Sequence, residues 1–146
     1  MRAFTPILTA RQMRRCDAYT IRETGVPSHI LMERAAAALV RCIDSRPALF
    51  PAGQVLILCG GGNQGGDGFA AARRLATGQD CTARPVAVLY LGQPGVDGTT
   101  DPTRMSGECA RQYALATAAG VPVCTPEALD RLLPVSTAVL DAGFGL

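Results

Sequence analysis

The stretch CGGGNQGGDGFAAARRL, residues 59–75, follows the apolar run QVLILC (54–59) and leads into an Ala/Arg-rich segment. A short continuous apolar run suits a parallel strand buried on both faces, and FAAARRLAT (69–77) reads as helix. Between them Gly60, Gly62 and Gly65 satisfy G-x-G-x-x-G in the strand-to-helix context that pattern requires. Without Cβ atoms such a loop turns tightly and aims its N–H groups, backed by the helix N-terminus, at a pyrophosphate. No Lys-Ser/Thr pair follows the glycines, which speaks against a P-loop. An ordinary NAD site also places an acid at the end of the next strand; Leu91-Gly92-Gln93 stands there, and an NADP site does not need the acid. Asn63, Gln64 and Asp67 add polar side chains to the loop. A carboxylate beside a phosphate repels it, so Asp67 is expected to cap the helix, to hold the loop amides, or to help hold a cation or sugar hydroxyl. The plainer alternative is a tight turn with no ligand.

Working outward, the chain alternates helix and strand. Thr9 and Gln12 form a capping-box pattern ahead of a first helix that runs toward Gly25. Ser28 is the expected N-cap of a second, with Leu31, Ala35, Leu39 and Cys42 on one face. PVAVLYL (85–91) reads as a strand, and Asp101-Pro102 signals a helix through about Ala119. VPVC (121–124) is a short strand, Thr125-Pro126-Glu127 caps a short helix, and STAVLD (136–141) is a fourth strand. This order implies right-handed crossovers and a three-layer αβα, Rossmann-like fold, with a mostly parallel sheet covered on both faces and two N-terminal helices. The last strand delivers Asp141 to the edge where α/β folds bind ligands, which favours a site role over a helix cap. The end at DAGFGL leaves that strand exposed, so the expectation is a domain incomplete at its C-terminus.

Composition narrows the classes. The 146 residues are 48% hydrophobic and 18% charged with a net charge of +2, the profile of one globular domain spanning 1–146 without a basic block. A nucleic-acid partner is not expected. Nor is a membrane partner, and no stretch has the make-up of a signal peptide. The cysteines, Cys16, Cys42, Cys59, Cys81, Cys109 and Cys124, show no C-x-x-C pair and read as buried, reduced thiols of a cytoplasmic protein. His29 falls in a first helical turn with a solvated or packing role, Met32 reads as core, and Tyr19 and Tyr90 form no stacking pattern.

Residues 59–75 resemble the signature of NAD(P)H-hydrate epimerases, the YjeF N-terminal domain family, which reads G-x-G-N-N-G-G-D-G before an Ala/Arg-rich helix. Residues 8–40 resemble that family's N-terminal segment at Asp17, Gly25, Ser28 and Leu31-Met32-Glu33-Arg34-Ala35, and VLDAGFG (139–145) resembles its D-A-x-F-G turn. The resemblance implies an isomerase that interconverts the R and S C6 epimers of hydrated NADH and NADPH, a metabolite-repair reaction. Asn63, Gln64, Gly65, Gly66, Asp67 and Gly145 map onto its substrate contacts. One potassium ion per subunit is implied, with Gln64 and Asp141 as its ligands here. Gln64 stands where the family has Asn, and its amide oxygen suits a hard cation. Asp141 is also the candidate catalytic proton carrier. The family implies a homodimer and a fused or separate NAD(P)H-hydrate dehydratase as partner. A downstream D-x-P-S-G segment, which supplies the family with a further substrate-binding Asp and a potassium-binding Ser, is not in this sequence. Two other readings stay open: an NADP-binding oxidoreductase domain, and a non-catalytic binding module that keeps the fold.

Overall fold

A computed structural model describes residues 7–143. The first helix, α1 (Ala10–Glu23), begins at the expected capping box: Thr9 Oγ1 accepts from Gln12 N at 3.3 Å, and Thr9 N donates to Gln12 Oε1 at 2.8 Å. None of its residues is buried. The second helix, α2 (Ser28–Asp44), corrects two expectations. Pro27 occupies the N-cap, and Ser28 is the first helical residue, whose Oγ donates instead to Glu108 Oε1 at 2.5 Å. The buried stripe is Met32, Ala36, Ala37, Val40 and Ile43, one position beyond the predicted Leu31, Ala35, Leu39 and Cys42. Both stripes are apolar at helical spacing, so periodicity alone does not choose between them.

The remaining elements are β1 (Gln54–Cys59), α3 (Asn63–Thr77), β2 (Val86–Tyr90), α4 (Gly107–Ala118), β3 (Val123–Cys124), α5 (Leu129–Leu132) and β4 (Ser136–Ala142). Asp101 caps only a 3₁₀ turn, Pro102–Arg104; α4 starts later, with Ser106 Oγ accepting from Cys109 N at 3.4 Å. Thr125 makes no side-chain cap. The four strands are all parallel, in the order β3-β2-β1-β4. The chain therefore builds outward from β1 through β2 to β3, then crosses back to lay β4 on the other side of β1. That reversal places a topological switch point between the C-terminal ends of β1 and β4, where open α/β sheets take their ligands.

One face of the sheet carries α2, α3 and α4. Phe69 and Leu75 of α3 are fully buried there with Val55, Ile57 and Val88. Each such side chain contributes about 1.5–3 kcal/mol relative to exposure. An edge-to-face pair, Phe69 and Tyr113, with ring centroids 5.5 Å apart, joins α3 to α4. The other face is covered unequally. Among the described residues only the short crossover of α5 and its flanking 3₁₀ turns reaches it, around Leu56, Ala87, Leu89 and Leu132. Along β4 burial alternates, and Val139 is exposed. The cysteine expectation is also corrected: Cys59 and Cys109 are buried, but Cys16 and Cys42 are exposed and Cys81 and Cys124 half-buried, all six being free thiols. Among the described residues no helix is long and apolar enough to cross a membrane.

Candidate functional site

At the switch point lies a pocket of about 240 Å³ whose wall includes Gln64, Asp67 and Gly68 of α3, Leu140 and Asp141 of β4, and Leu39 of α2. The glycine run builds it in two parts. Gly60–Gly62 turn the chain after β1, with Gly60 N donating to Ala142 O at 3.0 Å. The helix already begins at Asn63, so Gly65, Gly66 and Gly68 lie within its first two turns and not in a loop. A Cβ on Gly65 would run into the Gly60 carbonyl, and one on Gly60 into the Gly143 carbonyl. A Cβ on Gly66 would meet Met32 Cε at 2.8 Å, and one on Gly68 would meet Cys59 Sγ at 2.6 Å and Ala142 Cβ at 2.7 Å. Helical glycines cost about 1 kcal/mol each against alanine. Here they let α3 lie close on the strand ends and on α2, which brings the helix N-terminus to the switch point.

Asp67 does not cap α3: Gly62 is the N-cap, and Asp67 is the fifth helical residue. It is half-buried in the pocket wall, and its carboxyl is pushed up to about 6, first by burial and then by the Asp17 carboxylate of α1. Asp141 sits at the pocket rim, exposed, with Oδ1 accepting from Gly143 N at 2.8 Å. Asn63 turns away toward α4. Its Oδ1 accepts from Ser106 Oγ at 2.8 Å, and Gly61 O accepts from Ser106 N at 2.8 Å, tying the glycine turn to the α4 N-cap. Of the residues singled out from sequence, then, Gln64, Asp67 and Asp141 meet in one pocket, and Asn63 stands beside it. Gly65 and Gly66 are buried in helix packing. Gly145 lies outside the described residues.

Three contributions were missed from sequence. Leu39, expected only on one face of the second helix, is a pocket wall. Ser106 anchors the glycine turn. Glu33 of α2 is a clamp: its carboxylate accepts from Arg73 Nη2 (2.7 and 2.8 Å), from Arg74 Nη2 and Nε (2.5 and 3.2 Å) and from Gln112 Nε2 (3.0 Å). It thereby joins α2, α3 and α4 behind the pocket. Burial raises the Glu33 pKa, but the hydrogen bonds from Arg74, Gln112 and Arg73 outweigh it and hold the carboxyl below its ordinary value. A lone Glu in an apolar helix and a paired Arg in the glycine-rich helix were the available signal.

A larger open hollow, about 690 Å³, runs along α1 past Gln12, Cys16 and Tyr19. It is the outer face of a single helix and includes none of the strand-end residues. Among the described residues no group of three or more His, Cys, Asp or Glu is arranged to hold a metal ion. The oxygen donors gathered at the switch point, the Gln64 amide and the Asp67 and Asp141 carboxylates, are the kind that a hard cation accepts.

Residues 28–146 match the sequence family described as YjeF-related protein N-terminus. The chain is 37% identical over 143 residues to an NAD(P)H-hydrate epimerase of Oenococcus oeni, covering 97% of this chain and 60% of that protein. Against an NAD(P)H-hydrate epimerase of Weissella koreensis it is 36% identical over 142 residues, covering 97% and 57%. A bifunctional NAD(P)H-hydrate repair enzyme of Salinibacter ruber is 44% identical over 72 residues, 49% of this chain and 13% of that protein. The chain thus spans 60% or less of the length of these relatives.

Proposed function

The chain belongs to the family of YjeF-related protein N-termini, and from that premise we propose that it is the nucleotide-hydrate-binding domain, residues 1–146, of an NAD(P)H-hydrate epimerase. The observation that carries this reading is the meeting of Gln64, Asp67 and Asp141 in one pocket at the switch point, beside a glycine turn and a helix N-terminus. The reaction is the interconversion of the R and S epimers at C6 of hydrated NADH or NADPH.

Each group has a task. The free N–H groups of the first turn of α3 face the nucleotide's pyrophosphate. Asn63 is held by Ser106, which fixes the turn that presents those groups. Ring opening and loss and readdition of water both need a positioned proton carrier, and Asp141, on the exposed rim, takes that role. Asp67, its carboxyl pushed up to about 6 by burial, takes up a proton more readily than an ordinary aspartate and carries its full charge only above that value. The donor set fits a potassium ion: Gln64 and Asp141 would hold it, and bound there it supplies a fixed positive charge beside the phosphates. Gly145 is retained as a substrate contact. Homodimerisation, a cytoplasmic location and a fused or separate dehydratase, the last suggested by the bifunctional relative, complete the proposal.

The test starts from a single purified hydrate epimer and follows its conversion by chromatography with and without the chain and with and without potassium. Conversion faster than in buffer, reduced about 100-fold or more by Asp141→Asn, supports the assignment. A rate equal to buffer under every condition, together with no detectable binding of either hydrate, refutes it.

A further inference from the structure

We propose that the end of β2 reads the adenosine ribose of the substrate and that Arg104 there selects the 2′-phosphorylated hydrate over the unphosphorylated one. The inference rests on the hydrate-binding reading above. Leu91 N donates to Cys59 O at 2.8 Å, so the chain leaves β2 directly beside the glycine turn. A dinucleotide whose pyrophosphate lies at the N-terminus of α3 sets its adenosine ribose over this strand end, where an acid grips the 2′-hydroxyl or an arginine takes the 2′-phosphate.

The residues present answer to the second description. Gln93 stands in place of the acid, and its Oε1 accepts from Arg104 Nη1 at 3.3 Å. The backbone carbonyl of Arg104 lies 3.5 Å from where a Gly61 Cβ would be, so the backbone at this arginine passes beside the glycine turn. Its side chain is 43% exposed and open to a ligand. Asp101 Oδ2 lies 3.4 Å from Arg104 Nε, and Asp97 and Asp101 are the carboxylates of this loop. Both are engaged by their own turns: Asp97 Oδ1 accepts from Thr99 N and Oγ1, and Asp101 Oδ1 from Thr103 N and Oγ1. Gln93 and Asp101 face two of the five guanidinium donors, and the rest suit a phosphate.

Tyr90 marks the same seam independently. The residue is 2% exposed, and its hydroxyl has no hydrogen-bond partner among the described residues. That hydroxyl lies 3.0 Å from where a Gly61 Cβ would be, and it would overlap a Cβ on Gly92. A buried phenol without a partner is costly, and a ligand or water entering between the glycine turn and the β2 loop would satisfy it.

Calorimetric titration of this chain with the hydrates of NADPH and of NADH separates the outcomes. The expected result is at least about tenfold tighter binding of the NADPH hydrate, from one charge-assisted contact. In Arg104→Gln that preference is lost while the affinity for the NADH hydrate is unchanged. Equal affinities in the wild type, or a loss shared equally by both ligands in Arg104→Gln, overturn this inference alone. Binding of neither hydrate overturns the hydrate reading and this inference with it.

Discussion

Replacing Glu33 by Ala removes the clamp behind the pocket and leaves two arginines facing each other. Arg74 is 8% exposed, Arg73 17% and Glu33 22%. Removing one partner of a fully buried pair costs about 3–5 kcal/mol, because the other charge is left uncompensated. The residual exposure of Glu33 lowers that figure, and so does Asp80, which still pairs with Arg74. The lost Gln112 bond adds about 1 kcal/mol. The expected loss is about 3 kcal/mol, or about 10 °C in Tm for a domain of this size. Urea unfolding followed by circular dichroism at pH 7 measures it directly. The pH dependence supplies an internal control. The folded-state pKa of Glu33 lies below its ordinary 4.5, so its contribution is complete above that value and is lost as pH falls through the folded pKa. The gap between wild type and Glu33→Ala should therefore be full at pH 7 and narrow below pH 4.5. A loss under about 1 kcal/mol at pH 7, or a gap that does not narrow as pH falls below 4.5, would refute the clamp.

Other substitutions probe the site. Gly65→Ala places a methyl on the Gly60 carbonyl and should cost at least about 2 kcal/mol in urea melts, although alanine is the better helix former. Asp67→Asn should behave oppositely with pH: a carboxyl raised from 3.8 to about 6 binds more protons folded than unfolded, so wild-type stability falls as pH rises from 3.8 to 6. The variant should be more stable than wild type at pH 8, and the difference should vanish below pH 3.8; a variant less stable at pH 8 contradicts the burial of this charge. Ser28→Ala removes the bond to Glu108 and should lower stability by about 1 kcal/mol in the same melts.

The parallel sheet was legible because QVLILC, PVAVLYL and STAVLD are short apolar runs separated by helical segments, and local pattern suffices for that inference. The site was legible in part. Gln64, Asp67 and Asp141 could be named because polar side chains in a glycine-rich turn and at a strand end have few structural uses. The start of α3 was not, since Gly65, Gly66 and Gly68 argue against helix by propensity, and only their fit against Met32, Cys59 and Ala142 offsets that cost. The rotation of α2 was hidden for a similar reason: its two apolar stripes differ by one residue, and the choice is made by what α3 offers to pack against. Glu33 and Ser106 act through partners far along the chain, which spacing does not reveal.

The pocket between β1 and β4 is proposed to receive the nicotinamide nucleotide hydrate. Titrating isotope-labelled chain with the hydrate and following amide and side-chain NMR shifts tests it most directly. Saturable shifts concentrated at Gly60–Gly62, Gln64, Asp67 and Asp141 are expected, with Gln12, Arg15 and Tyr19 on the open face of α1 unaffected. Shifts centred on the outer face of α1, or none at saturating hydrate, would contradict it.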